Sequence, residues 1–95
     1  MEKEKQIVAS PSGHHIVGAL RLWLDLIGEK NAKKRIAFAL RRGYRFTSHD
    51  LNKIGRTVDA RKYISRLRNK DKVDIADIET TRDEKNFKEY FLLKQ

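Results

Sequence analysis

The 95 residues hold 22 lysines and arginines against 13 acids, a net charge of +9 with a pI near 10.0. That length makes one domain, and so large a basic excess on a small unit points to a polyanionic partner. The absence of cysteine excludes a disulfide framework and a thiolate metal site and fits a cytoplasmic protein, while no apolar run is long enough for a secretory signal or a membrane span.

Residues 1–12 are polar and end around the only proline, in Ser-Pro-Ser. They read as a flexible N-terminal arm. A first helix is predicted over 13–28, with Ser12 as its N-cap. Ile16, Leu20, Trp23 and Ile27 form its central stripe, and Ala19, Leu22, Leu24 and Leu26 widen it. Only Arg21, Asp25 and the glycines remain polar. So wide an apolar face either packs between several elements or meets a second chain, and both a monomer and a homodimer stay open.

A second helix is predicted over 31–43, capped by Asn31 and stopped by Gly43. Ala32, Ile36, Ala39 and Leu40 face one way, and Lys33, Lys34, Arg41 and Arg42 face out. Phe38 lies off the stripe, toward the first helix. Thr47 or Ser48 caps a short third helix over 47–54, with Asp50 in its first turn. Gly55 ends it by supplying a left-handed conformation. Thr57 then caps a helix over 57–70, with Asp59 in its first turn. Two helices joined by so short a glycine-containing turn have the sequence form of a helix-turn-helix.

Past Lys72 the pattern becomes extended. The segment VDIADIETT, a turn at RDEKN, and FKEYFLL make a predicted hairpin over 73–93. The apolar phase slips between Ile75 and Ile78, which predicts a bulge or bend. In the second strand Phe87, Phe91 and Leu93 share one side and Tyr90 and Leu92 the other, so at least one side packs on the helices.

The charge is segregated along these elements. Residues 1–28 balance three bases with three acids, residues 29–72 hold 15 bases against four acids, and residues 73–95 hold four against six. On the 57–70 helix, Ala60, Tyr63, Ile64 and Leu67 form the buried stripe. Lys62, Ser65 and Asn69 lie opposite, flanked by Arg61 and Arg66, with Arg68 at the boundary. This face can enter a major groove, where arginine and lysine address guanine and asparagine addresses adenine. Arg56 and Thr57 stand at the helix start, where backbone N–H groups favour a phosphate. Lys53, Arg45, Lys33 and Lys34 extend the cationic surface.

On the hairpin, Arg82, Lys85, Asn86 and Lys88 can reach phosphate, but Asp83 and Glu84 share the turn, so a smaller contribution is expected there. The acidic hairpin instead offers a surface to a protein partner. No catalytic or metal-ligating set emerges. Ser48, His49 and Asp50 are adjacent on a helix and point about 100° apart. Asp74 with Asp77, or His14 with His15, lacks a third ligand.

Residues 31–93 resemble the winged-helix superfamily in their order of three helices and a hairpin. More narrowly, FTSHDLNKIGRTVDARKYISRLRNK followed by KEYFLL is similar to small winged-helix proteins of phages and prophages. In those, a T…DL helix precedes an A…I..LR helix, and an aromatic and a leucine close the wing. Thr47, Asp50, Leu51, Ala60, Ile64, Leu67, Arg68, Tyr90 and Leu92 stand in those places. The resemblance implies a mainly α protein with a β-hairpin (α+β), a winged helix-turn-helix with an extra N-terminal helix. It implies no cofactor and no enzymatic activity. The partner it implies is duplex DNA, in the regulation of phage or mobile-element transcription, recombination or replication. Winged helices also serve as protein-docking modules, which implies the alternative of a module that modulates a nucleic-acid-processing protein.

Overall fold

The computed structural model describes residues 10–93; residues 1–9 of the predicted 1–12 arm lie outside them. Residues 10–12 are tied down. Arg45 N–H donates to Pro11 O (2.7 Å) and Gly13 N–H to Arg45 O (2.7 Å), which sets Ser12 beside Arg45 in a parallel bridge. Gly13 is a glycine because the chain closes on itself there. A Cβ would overlap the Phe46 ring, standing 2.6 Å from its Cζ, and lie 2.8 Å from Tyr44 Cβ. Gly13→Ala is therefore expected to cost about 2 to 3 kcal/mol through overpacking, measured by urea unfolding. A loss below 1 kcal/mol would show that the ring of Phe46 swings aside freely.

The first helix begins as a 3₁₀ turn, His14–Ile16, and continues as α1, Val17–Leu26. Ser12 is not its N-cap residue, although its Oγ accepts from His14 N–H (3.3 Å). Its buried residues are Val17, Leu20 and Leu24; of the predicted stripe Leu20 is buried and Ile16 half-buried against the core. Trp23 and Ile27 are exposed, as are Leu22 and Leu26. A helix apolar around most of its circumference has no unique inward phase; packing chose the arc.

Helix α2, Ala32–Arg41, follows the prediction. Asn31 Oδ1 accepts from Lys34 N–H (3.0 Å), and Gly43 takes the left-handed φ of 90° past the helix end. Ile36, Ala39 and Leu40 are buried, and so is Arg35. A two-residue strand follows, β1, Phe46–Thr47, which the sequence pattern does not reveal because strands this short have no periodicity.

Helix α3, Ser48–Gly55, is capped reciprocally: Thr47 Oγ1 accepts from Asp50 N–H, and Asp50 accepts from Thr47 N–H. Its left-handed cap is Arg56, with φ 55° and ψ 50°, not Gly55. Gly55 is there for space, since a Cβ would lie 3.1 Å from Ile36. Helix α4, Ala60–Asn69, starts three residues later than predicted. Thr57 does not cap it. Thr57 Oγ1 accepts from Asp59 N–H (3.2 Å), and the orphan N–H of Ala60 donates to Asn52 Oδ1 of α3 (2.7 Å). The cap is thus a tertiary contact.

Strands β2, Ile75–Arg82, and β3, Lys85–Leu92, pair antiparallel in unbroken register from Ile75↔Leu92 to Arg82↔Lys85. The predicted bulge is absent. The slip in apolar phase comes from Ile75 facing the helices while Ile78 pairs Glu89 on the other face. Asp83 and Glu84 both have positive φ (51° and 63°), the conformation a two-residue hairpin turn demands. The three strands form an antiparallel sheet in the order β1-β3-β2, with Phe46 opposite Tyr90. Phe46, Ile75 and Tyr90 close the core against Leu20, Leu24, Ile36, Leu40, Leu51, Ile54, Ile64 and Leu67. Among the described residues the fold is α+β: four α-helices and one three-stranded antiparallel sheet. No described helix is long and apolar enough to cross a membrane.

Candidate nucleic-acid interface

Helix α4 is anchored by Ala60, Ile64 and Leu67, all buried, with Tyr63 half-buried beside them. The wheel drawn from sequence therefore holds, and Arg61, Lys62, Ser65, Arg66 and Asn69 are exposed. Lys62 Nζ lies 5.0 Å and Arg66 Cζ 5.6 Å from the centroid of the Tyr63 ring. These cation–π contacts orient the two cations without neutralising them. Asn69 Nδ2 donates to Ser65 Oγ (3.2 Å) one turn away.

Among the described residues, Arg61, Lys62 and Arg66 have no acidic partner, and neither does Lys53. Other predicted cations do. Arg45 Nε is 3.0 Å from Glu89, a carboxylate only 1% exposed, and its guanidinium also donates to Ser10 O. Arg45 thus joins the N-terminal segment to the sheet. Arg68 donates to Ile75 O and to Asp77, both at 3.0 Å, and lies 5.8 Å from the Tyr90 ring. It braces α4 against the hairpin. Lys33 pairs with Asp71 at 2.9 Å, whereas Lys34 is exposed.

Arg56 grips Asp25 with both arms of its fork, Nε to Oδ1 at 3.0 Å and Nη2 to Oδ2 at 3.2 Å. Asp25 also accepts from Arg35. The Arg56 hydrogen bonds chiefly, with help from Arg35 and against partial desolvation, hold the Asp25 carboxyl at about 2, below its ordinary 3.8. Asp25 in turn raises the Arg56 guanidinium. A carboxyl depressed in the folded state stabilises it above the unfolded value, and that stabilisation disappears as pH falls from about 3.8 toward 2. Asp25→Asn is expected to flatten the acid-unfolding curve in that window and leave its slope near neutrality unchanged. Identical curves for the two proteins between pH 4 and 2 would refute the coupling.

At the α3–α4 turn, Arg21, Asn52, Lys53, Arg56, Thr57 and Val58 line an open cleft of about 300 Å³. The N–H groups of Asp59 and Ala60 at the start of α4 are already satisfied within the chain. What this end offers an anion is therefore mainly Lys53 and the outer edge of Arg56. Val58, 94% exposed at this turn, escaped the sequence reading because a lone valine in a loop carries no pattern.

On the hairpin, Lys85, Asn86 and Lys88 are exposed near the turn, with Asp83 and Glu84 beside them. Thr81 Oγ1 donates to Asn86 Oδ1 (3.0 Å), while the Arg82 side chain lies outside the described residues. Asp50, of the Ser-His-Asp run, is buried in the α3 cap, and its Oδ1 is 2.9 Å from His14 Nδ1. No group of three or more metal-ligating side chains occurs among the described residues. In comparison with known proteins, the chain matches no family model, no curated sequence and no solved structure.

Proposed function

We propose that the chain is a winged-helix DNA-binding protein that reads duplex DNA with the outer face of α4. The observation that carries this is where the acids go. Arg35, Arg45, Arg56 and Arg68 each have a carboxylate partner, while Arg61, Lys62 and Arg66 have none among the described residues. A face held by a buried apolar stripe and left uncompensated is poised for a polyanion.

The winged-helix assignment is supported by the order α2-β1-α3-α4-β2-β3 and by a short first strand lying beside the last. In this reading α1 is the extra N-terminal helix and the β2–β3 turn is the wing. Arg61, Lys62, Arg66 and Asn69 address base edges and flanking phosphates, with Ser65 between them. Lys53, Arg56 and Thr57 meet the backbone at the turn, Val58 offers an apolar contact, and Lys85 and Lys88 add weaker contacts from the wing. Arg45 and Arg68 serve chiefly to fix the geometry. The resemblance to phage-encoded proteins supports a regulatory role in a phage or mobile element.

The reading is tested by fluorescence anisotropy with random-sequence duplex DNA over a series of salt concentrations. About six neutralised phosphates give a log K against log salt slope near −5. Duplex RNA of equal length should bind more weakly, because its deep, narrow major groove excludes a helix. Absence of DNA binding at low salt, or RNA binding as tight as DNA, would reject the reading.

A further inference from the structure

The outer side of α1 is a second surface that DNA recognition leaves unexplained. Leu22 (58% exposed), Trp23 (51%), Leu26 (73%) and Ile27 (52%) fall on one side of the helix at i, i+1, i+4 and i+5. Trp23 and Ile27 lean over a depression between α1 and α2. At one end of it Leu20, Trp23, Phe38 and Arg42 come together around about 380 Å³. At the other, an open depression of about 450 Å³ is lined by Leu24, Ile27, Ala37 and Phe38 with Lys34 and Arg41. Phe38 lines both, so the two depressions adjoin along α1 and α2. The groove touches α4 through Leu67, on that helix's buried stripe, and not through the DNA-facing residues.

The rim is basic. Lys34, Arg41 and Arg42 are exposed and have no acidic partner among the described residues, and Arg42 lies over Phe38 at 5.9 Å. The acids at the groove are Asp71, paired with Lys33, and Glu29, which accepts from Asn31 N–H. An apolar trough of this kind receives the apolar face of a helix, and the rim selects the charge beside that face. A second copy would bring Lys34, Arg41 and Arg42 against their own kind on chains of net charge +9. A flat lipid surface would leave the groove between the helices unfilled.

We propose that the α1–α2 groove docks an acidic amphipathic helix of a partner protein, leaving α4 free for nucleic acid. Trp23 is the only tryptophan, so its emission in the full chain reports occupancy. The probe is a helix-forming peptide of about 18 residues with leucine at i, i+4, i+7 and i+11 and glutamate on both flanks. A twin carries lysine in place of every glutamate. The glutamate peptide should shift Trp23 emission to the blue and bind about tenfold or more tightly than the lysine twin. Lys34→Glu combined with Arg41→Glu should reverse that order, and Ile27→Ser, at a residue 52% exposed that lines the groove, should weaken the glutamate peptide about fivefold. Saturating duplex DNA should leave the peptide bound. Failure to bind DNA at all would count against the α4 reading and leave the peptide comparison intact.

Four results overturn the proposal: equal binding of both peptides, binding of neither, binding of the glutamate peptide without a Trp23 shift, and displacement of the peptide by DNA. A blue shift produced only by phosphatidylserine vesicles would assign the face to a membrane surface. A shift that follows protein concentration without peptide would assign it to a second copy. Either would also overturn the proposal.

Discussion

Arg35→Met is expected to lower the stability of the domain by about 2 to 5 kcal/mol through carbonyls left without a donor, a drop in Tm of roughly 10 to 25 °C for a chain of this size. Arg35 is 1% exposed. Its Nε donates to Ile54 O at 2.7 Å, one Nη to Glu29 O at 2.6 Å, and the other to Asp25 Oδ1 at 2.8 Å. Ile54 O is one of the last carbonyls of α3, which has no partner within its own helix. A single guanidinium therefore joins α1, the connection after it, and α3. Methionine fills the space of the stem but donates nothing, so buried carbonyls lose their partner. Asp25 is less affected, because Arg56 still holds it.

Arg35→Lys is expected to recover little. Its three donors sit on one nitrogen and cannot span acceptors that lie in three directions. Guanidinium chloride unfolding of the wild type and both variants is the measurement. A methionine variant within 1 kcal/mol of wild type would show that the carbonyls find other donors and that the network is dispensable.

Arg61→Ala combined with Arg66→Ala is expected to weaken duplex DNA binding by about 1 to 3 kcal/mol for each lost contact, or roughly 30-fold to about 20,000-fold for the pair. The salt dependence separates the origin of the loss. If both arginines address phosphate, the slope of log K against log salt becomes shallower by about two. If they address guanine, affinity falls most on the preferred sequence and the slope changes less. Both side chains are exposed and have no acidic partner among the described residues, so circular dichroism and the unfolding midpoint should remain close to wild type. An intact fold with unchanged DNA affinity would sink the assignment of α4 as the reading helix.

The two variants differ in how much of their logic is visible in one dimension. Arg61 and Arg66 are legible because helical periodicity assigns them to a side. Once Ala60, Ile64 and Leu67 are recognised as the inward stripe, the outward residues follow. The same reasoning finds Asn31 and Gly43 and narrows the α3 cap to Thr47 or Ser48, of which the structure uses Thr47, since capping depends on residues within one turn. It fails for Arg35, which looks like one more member of a basic segment. Nothing local marks it as the donor for carbonyls 19 residues ahead and six behind.

The turn before α4 shows the same boundary. Thr57 and Gly55 carry the ordinary signals of a cap and a left-handed stop. The structure gives those tasks to Asn52 and Arg56 instead, because α3 packs close enough to supply the cap, while a Cβ on Gly55 would crowd Ile36 at 3.1 Å. Likewise β1 exists only because Phe46 and Thr47 find Tyr90 and Glu89 more than forty residues later.

By itself, the sequence determined the number and order of the helices, the hairpin, and the segregation of positive charge. These follow from periodicity, turn chemistry and composition, which act over a few residues. Tertiary structure alone decided which arginines are spent inside the molecule and which arc of α1 is buried. Both depend on the distance between groups far apart in the chain, and a carboxylate or carbonyl that arrives from elsewhere decides whether a cation braces the fold or faces solvent.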